Sequence, residues 1–246
     1  MRPLKSLTLA AIVGRLGERV EVITEARAAD QLRYSLRDTL RSGFALMVFQ
    51  PPRLLQFQRA MAKKRQRCNL QTIFGVQEIP SDTQMRDLFD GVEVEALRGL
   101  LAQLWEKVRR AGGGGRFTTT LPSGQPQGTY YTVALEGSEY FRSTQGQCSP
   151  WLRQPDSKGR VSYSHLIVGA TVVQAGSPQV LPLDGEEVRN ATAESTPQDC
   201  ELTAAKRLLA RVRREHPQRA RIVIGDDRYA HVPFVEPLQP QRQHSV

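Results

Sequence analysis

Residues 130–136 read Tyr-Tyr-Thr-Val-Ala-Leu-Glu, a run of β-forming and small apolar residues closed by a carboxylate. Residues 221–226, Arg-Ile-Val-Ile-Gly-Asp, have the same design. Each run predicts a short buried strand with an acidic residue at its tip. Between the two, residues 161–173 (VSYSHLIVGATVV) predict a second strand and residues 179–183 a weaker third. Residues 199–215 then carry Leu202, Ala205, Leu208, Leu209 and Val212 at helical spacing. The expected order is therefore strand, strand, strand, helix, strand.

Upstream the texture is different. Gly112–Gly115 lacks the Lys-Ser/Thr sequel of a phosphate-binding loop and reads as a hinge. Before it, Leu32, Leu36, Leu40 and Phe44 recur every four residues, and Pro51-Pro52 ends that helix because proline has no N–H to donate. A second helix is expected over residues 53–64, a third from Ser81, where Gln84 has capping-box spacing, and a fourth over residues 94–110. The expected domains are an unassigned segment 1–30, a helical region 31–111 and a Gly/Pro-rich linker 112–128. A sheet domain 129–235 and a polar tail 236–246 follow.

Composition narrows the function classes. Apolar residues make up 39% of the 246, enough to bury a core and too many for a wholly disordered chain. The charge sum, 34 − 25 = +9, favours a polyanionic partner, although a solvated basic surface is the plainer alternative. Cys68, Cys148 and Cys200 are odd in number with no CxxC pair, which suits neither a disulfide framework nor a zinc clip and agrees with a reducing cytoplasm. No apolar run approaches the ~20 residues of a membrane span, so no membrane association is expected.

Carboxylates at the tips of neighbouring strands can hold a hard divalent cation for phosphoryl transfer. From spacing alone, turn or cap duty is the commoner role for such residues. Two basic clusters carry the same ambiguity. Arg53, Arg59, Lys63, Lys64, Arg65 and Arg67 have no acid among them, and residues 206–221 hold seven basic residues against Glu215 alone. Either is a solvated helix face or a phosphate-binding surface. His165, inside an apolar strand pattern, reads as a hydrogen-bonded structural residue.

The residues resemble a known family. Ala134-Leu135-Glu136-Gly137-Ser138-Glu139-Tyr140-Phe141 is similar to the ALDGTxYF stretch of bacterial insertion-sequence transposases of the DDE class. Val223-Ile224-Gly225-Asp226-Asp227-Arg228-Tyr229-Ala230 resembles their VVGDxLYA. Asp199-Cys200-Glu201 and the residues that follow resemble their DCERNAAKRLL, and Ser162-Tyr163-Ser164-His165 their TYYH. Residues 69–75 and 79–86 resemble the helical region that precedes the catalytic core.

The resemblance implies an α/β (α+β) chain, an N-terminal helical region followed by an incomplete ribonuclease-H-like mixed sheet. It implies metal-dependent cleavage and transfer of DNA strands, with Mg²⁺ or Mn²⁺ as cofactor and double-stranded DNA at element ends as partner. It admits a homo-oligomer. Carried over by position, Glu136 and Asp226 are the first two catalytic and metal-binding carboxylates, and the cluster from Arg53 to Arg67 is the DNA-binding surface. Two departures matter. Residue 136 is Glu where the family has Asp, and the family's third carboxylate, a Glu on a later helix, has no counterpart in the 20 residues after Asp226. The expectation is a truncated and impaired transposase-related protein, with a non-enzymatic DNA-binding remnant or regulator as the alternative.

Overall fold

The structure, a computed structural model, describes residues 8–23, 34–121, 128–145, 152–189, 199–217, 220–236 and 243–245. The chain divides into two units, Met1–Val108 and Arg109–Val246, each taken by itself below.

The first unit is helical. Helix α1 (Leu9–Val20) lies in the segment that the sequence left unassigned; Thr8 caps it by accepting from the Ala11 amide (3.3 Å), and Val13, Leu16 and Val20 form its buried face. Helix α2 (Leu36–Phe49) starts at Ser35, whose Oγ accepts from the Asp38 amide, and stops at Gln50 in a left-handed conformation just before Pro51-Pro52. Of the expected stripe, Leu40 is buried and Leu32 falls outside the described residues. Helices α3 (Leu54–Met61) and α4 (Lys64–Asn69) follow. α4 widens into a π-helical turn, Leu70–Phe74, closed by Gly75 at φ 69°. Helix α5 (Asp82–Asp90) begins at the predicted Ser81 cap, which accepts from the Gln84 amide.

The single helix expected over residues 94–110 is two. α6 (Val94–Leu97) and α7 (Leu100–Arg110) are separated at Gly99, whose φ of 81° no helix can use. Arg19 stabilises the break by donating to the Ala96 and Arg98 carbonyls at 3.0 and 2.8 Å. The core of this unit gathers Phe57, Met61, Leu70, Phe74 and Met85. Each such buried side chain contributes about 1.5–3 kcal/mol.

The second unit is a seven-stranded mixed sheet with one long helix. Its strands are β1 (Thr118–Thr120), β2 (Thr129–Ser143), β3 (Leu152–Pro155), β4 (Val161–Val173), β5 (Leu181–Val188), β6 (Arg221–Ile224) and β7 (Gln243–Ser245). β5, β4 and β2 are successively antiparallel; helix α8 (Glu201–Glu215) then leads to β6, which is parallel to β2, and β7 is parallel to β6. The chain is α+β, and its three antiparallel strands, helix and parallel strand follow the order expected from the sequence. β1 and β3 add short antiparallel pairs to β2 and β4. β1 and the turn Gly114–Phe117 occupy part of the stretch read as linker, and β7 part of the stretch read as tail.

α8 buries Ala204, Ala205, Leu208, Leu209 and Val212, and packs on β4 and β5. Its arginines do not all face water. Arg211 pairs with Asp184 and, at 2.6 Å, with the buried Glu186, while Arg207 reaches Glu186 at 3.0 Å and Asp199 at 2.6 Å. Arg221, 2% exposed, donates to the Val212 and His216 carbonyls at 3.2 and 2.5 Å. A cation there also complements the partial negative charge of the helix C-terminus. At least three of the seven basic residues of the second cluster, Arg207, Arg211 and Arg221, are therefore held in internal contacts.

Arg211→Met leaves Glu186 with a weakened partner set, and should cost about 3 kcal/mol in a urea titration. The acid limb of stability gives a second check. Burial opposes the charge of Asp199, yet its bonds to the Arg207 guanidinium and to the Arg189 and Cys200 amides outweigh burial and lower its pKa. A carboxyl with a lowered folded pKa contributes stability at neutral pH, and loses it as pH falls from the ordinary value, 3.8, through the lower folded one. Asp199→Asn should therefore flatten the dependence of unfolding free energy on pH below about 4.

Candidate functional site

β2 and β6 run side by side in parallel, with Tyr131 opposite Arg221, Val133 opposite Val223 and Ala134 opposite Ile224. Continued by two residues, that register sets Glu136 level with Asp226. The backbone at Asp226 is still extended (φ −72°, ψ −177°), so strand alternation carries through to it. The α8 side of the sheet is marked by Gly137 and Gly225. A Cβ on Gly137 would lie 2.4 Å from the Glu201 carboxyl carbon, and one on Gly225 would lie 2.6 Å from the Tyr229 ring. Glu136 and Asp226, one residue away from these glycines, stand on the opposite face. Both are exposed.

The surroundings of each acid differ. Opposite Glu136 on β4 is Gly169, so no cross-strand side chain crowds it. Asp226 caps the short turn Asp227–Tyr229, its Oδ1 accepting from the Arg228 amide at 3.1 Å. The turn duty that spacing suggested for Asp226 is thus real, and it leaves Oδ2 for another partner. Neighbouring strands stand about 4.8 Å apart, so two level carboxylates on one face can meet one small cation or one phosphate-bound cation.

A third carboxylate, which the sequence reading passed over, lies near this end of the strands but on the other face of the sheet. Glu201, in the first turn of α8, has a side chain 10% exposed and ion-pairs with Arg228. Its Oε1 accepts from the Tyr229 hydroxyl at 2.6 Å. Burial first, then the Glu201 hydrogen bond and its charge, push the Tyr229 phenol above its ordinary range. The absent side chains of Gly137 and Gly225 make the room for this Glu201–Tyr229 pair. Glu201 is on the α8 side of the sheet and already engaged, and among the described residues no three His, Cys, Asp or Glu side chains form a metal-binding group.

The first basic cluster is placed differently from the second. Arg53 precedes α3, Arg59 lies on it, Lys63 precedes α4, and Lys64, Arg65 and Arg67 lie on α4. All six are exposed, and none makes an ion pair or side-chain hydrogen bond among the described residues. His165 lies with its Nδ1 3.3 Å from Glu187 and its ring stacked on Tyr140. Cys68 and Cys200 are free thiols, and Cys148 falls outside the described residues.

No protein-family profile and no curated protein sequence matches this chain. Among solved structures it is similar to a piggyBac transposase, in a cryo-EM structure of the synaptic complex with hairpin DNA. The two are 11% identical with a TM-score of 0.38, over 95% of this chain and 47% of the other. The chain thus spans about half the length of the transposase that it matches. No described helix is long and apolar enough to cross a membrane.

Gly137→Ala would drive a methyl group into the Glu201 carboxylate and should lower stability by about 1–3 kcal/mol. In a Glu201→Ala background the same change should cost far less. A double-mutant cycle by chemical denaturation reads that coupling, and additive costs would contradict the contact.

Proposed function

We propose that this chain is a DNA-transposition-related protein that binds double-stranded DNA at element ends through its helical region, residues 31–111. Its sheet region, residues 129–235, then carries an impaired strand-cleavage site on Glu136 and Asp226. What supports the reading is the β2–β6 register, which, continued two residues past the end of β6 at Ile224, brings these two acids level on one face of the sheet. They coincide with the two carboxylates of the family that the sequence resembles. Six exposed cations with no ion pair among the described residues support the DNA half of the proposal.

The donor set fits a hard cation in kind, since Mg²⁺ and Mn²⁺ take carboxylate oxygens together with substrate phosphate and water. Glu136 and Asp226 would hold it, and when bound it would neutralise charge on the phosphate and lower the pKa of an attacking water. The chain's own residues do the rest. The Arg228 amide fixes the Asp226 carboxylate, and Gly169 leaves Glu136 free to turn toward it. Lys63, Lys64 and Arg65 hold the DNA backbone, largely without regard to sequence.

Impairment follows from the reach of the donors and from their number among the described residues. Glu136 and Asp226 are two carboxylates where the resembled family has three, and at residue 136 the added methylene of Glu displaces the oxygen that an in-line displacement needs in place. A second reading, a non-enzymatic DNA-binding regulator of element ends, is favoured by the engagement of Glu201 with Arg228 and Tyr229.

A gel-shift titration beside a cleavage assay tests the proposal. Element-end DNA should be bound at low salt. Replacing Lys63, Lys64 and Arg65 together by Ala should make the slope of log affinity against log salt shallower by about 3. With Mg²⁺ or Mn²⁺, slow cleavage that Asp226→Asn removes without loss of binding supports the impaired enzyme. Binding with no cleavage selects the regulator, and no binding by the folded chain at low salt overturns both readings.

A further inference from the structure

One cavity of the helical unit adjoins the exposed basic residues. It has a volume of about 380 Å³ and is lined by Tyr34, Gln58, Ala62, Arg67, Glu78 and Ile79. A space of that size is in the range of small-molecule sites. Its lining combines an aromatic ring, two apolar side chains, an amide, a guanidinium and a carboxylate.

The wall that bears Glu78 is held from inside the fold. Asp38, 7% exposed on α2, accepts from the Gln77 amide at 2.9 Å and from the Glu78 amide at 3.1 Å. Arg67 comes from α4 directly before the π-helical turn, whose Leu70 and Phe74 are both 1% exposed and anchored in the core. Single π-helical turns are rare and recur at functional sites. The backbone under both charged residues is therefore fixed, while their side chains stay exposed at the cavity.

We propose that this cavity takes one unpaired guanine base of a DNA strand whose phosphates run along Lys63, Lys64 and Arg65. The inference rests on the DNA-binding reading above and adds a base-specific contact to it. Guanine presents two adjacent donors, N1–H and N2–H₂, and two acceptors, O6 and N7. The Glu78 carboxylate accepts from the donor pair and the Arg67 guanidinium donates to the acceptors, while Tyr34 offers a ring to stack on. No other DNA base offers two neighbouring donors to a carboxylate. In a duplex N1–H is engaged by cytosine, so the base that satisfies Glu78 is unpaired.

The test uses the full chain and fluorescent oligo-dT strands that carry, at one central position, dG, deoxyinosine or an abasic residue. Wild-type protein should bind the dG strand about tenfold more tightly than the abasic strand. Deoxyinosine, which lacks the N2 amine, should lose most of that preference. Glu78→Gln should lose it too, with an unchanged circular-dichroism spectrum and unchanged affinity for plain oligo-dT. Free GMP should compete only for the preference for dG, leaving binding of the abasic strand intact.

Equal binding of all three strands by the wild-type protein overturns the guanine site and leaves the DNA-binding reading standing. Saturation by GMP with no preference for dG within a strand also overturns it, assigning the cavity to a free nucleotide. Absence of binding to every strand at low salt overturns both proposals together. The deoxyinosine strand needs no variant, so the result does not depend on how Glu78→Gln folds.

Discussion

The sheet unit depends on how α8 is fastened to β6 at both ends. At the helix C-terminus, the buried Arg221 at the start of β6 donates to the Val212 and His216 carbonyls. At the N-terminus, Glu201 is engaged by Arg228 and Tyr229, which lie just beyond the end of β6. A helix clamped this way allows the strand little freedom to slide. Because strand faces alternate, a slip of one residue would carry Asp226 to the α8 side and away from Glu136. The small residues at 137 and 225 belong to the same device, since a Cβ at either would meet a side chain of the clamp.

The sequence was most legible where burial is two-sided. The apolar cores of β2, β4 and β6 and the spaced leucines of α8 declare themselves, because a strand or helix pressed on a core has few residue types to choose from. The same logic shows why other elements were missed. β2 continues from Glu136 to Ser143 through mostly exposed residues whose two aromatics, Tyr140 and Phe141, are adjacent and give no apolar alternation, and β1 is three threonines. β7 lies in a Pro- and Gln-rich stretch, and its pairing with β6 is a long-range fact. α1 contains Gly14 and Gly17, which weaken its local preference; a Cβ at Gly17 would meet the Arg41 guanidinium.

The candidate site divides in the same manner. Glu136 and Asp226 could be read because each closes an apolar run. Glu201 could not, because its partners are 27 and 28 residues away and only the crossover from α8 to β6 brings them to it. The two basic clusters looked alike as strings of letters. Folding separates them, since Arg207, Arg211 and Arg221 meet carboxylates or helix-end carbonyls within their own unit, whereas the residues from Arg53 to Arg67 meet none among those described. A charge count cannot make that distinction, because it depends on which acids the topology delivers.

In the proposed site, the carboxylates at residues 136 and 226 face one another closely enough to serve a single ion. Crystals of the protein soaked in Mn²⁺, measured for anomalous scattering, address that arrangement without any assay of activity. The account predicts one manganese peak bound by oxygens of both side chains, on the face of the sheet away from α8, and lost in Asp226→Asn. Manganese held by Glu201 instead, or a Glu136 and an Asp226 directed to opposite faces, would contradict it.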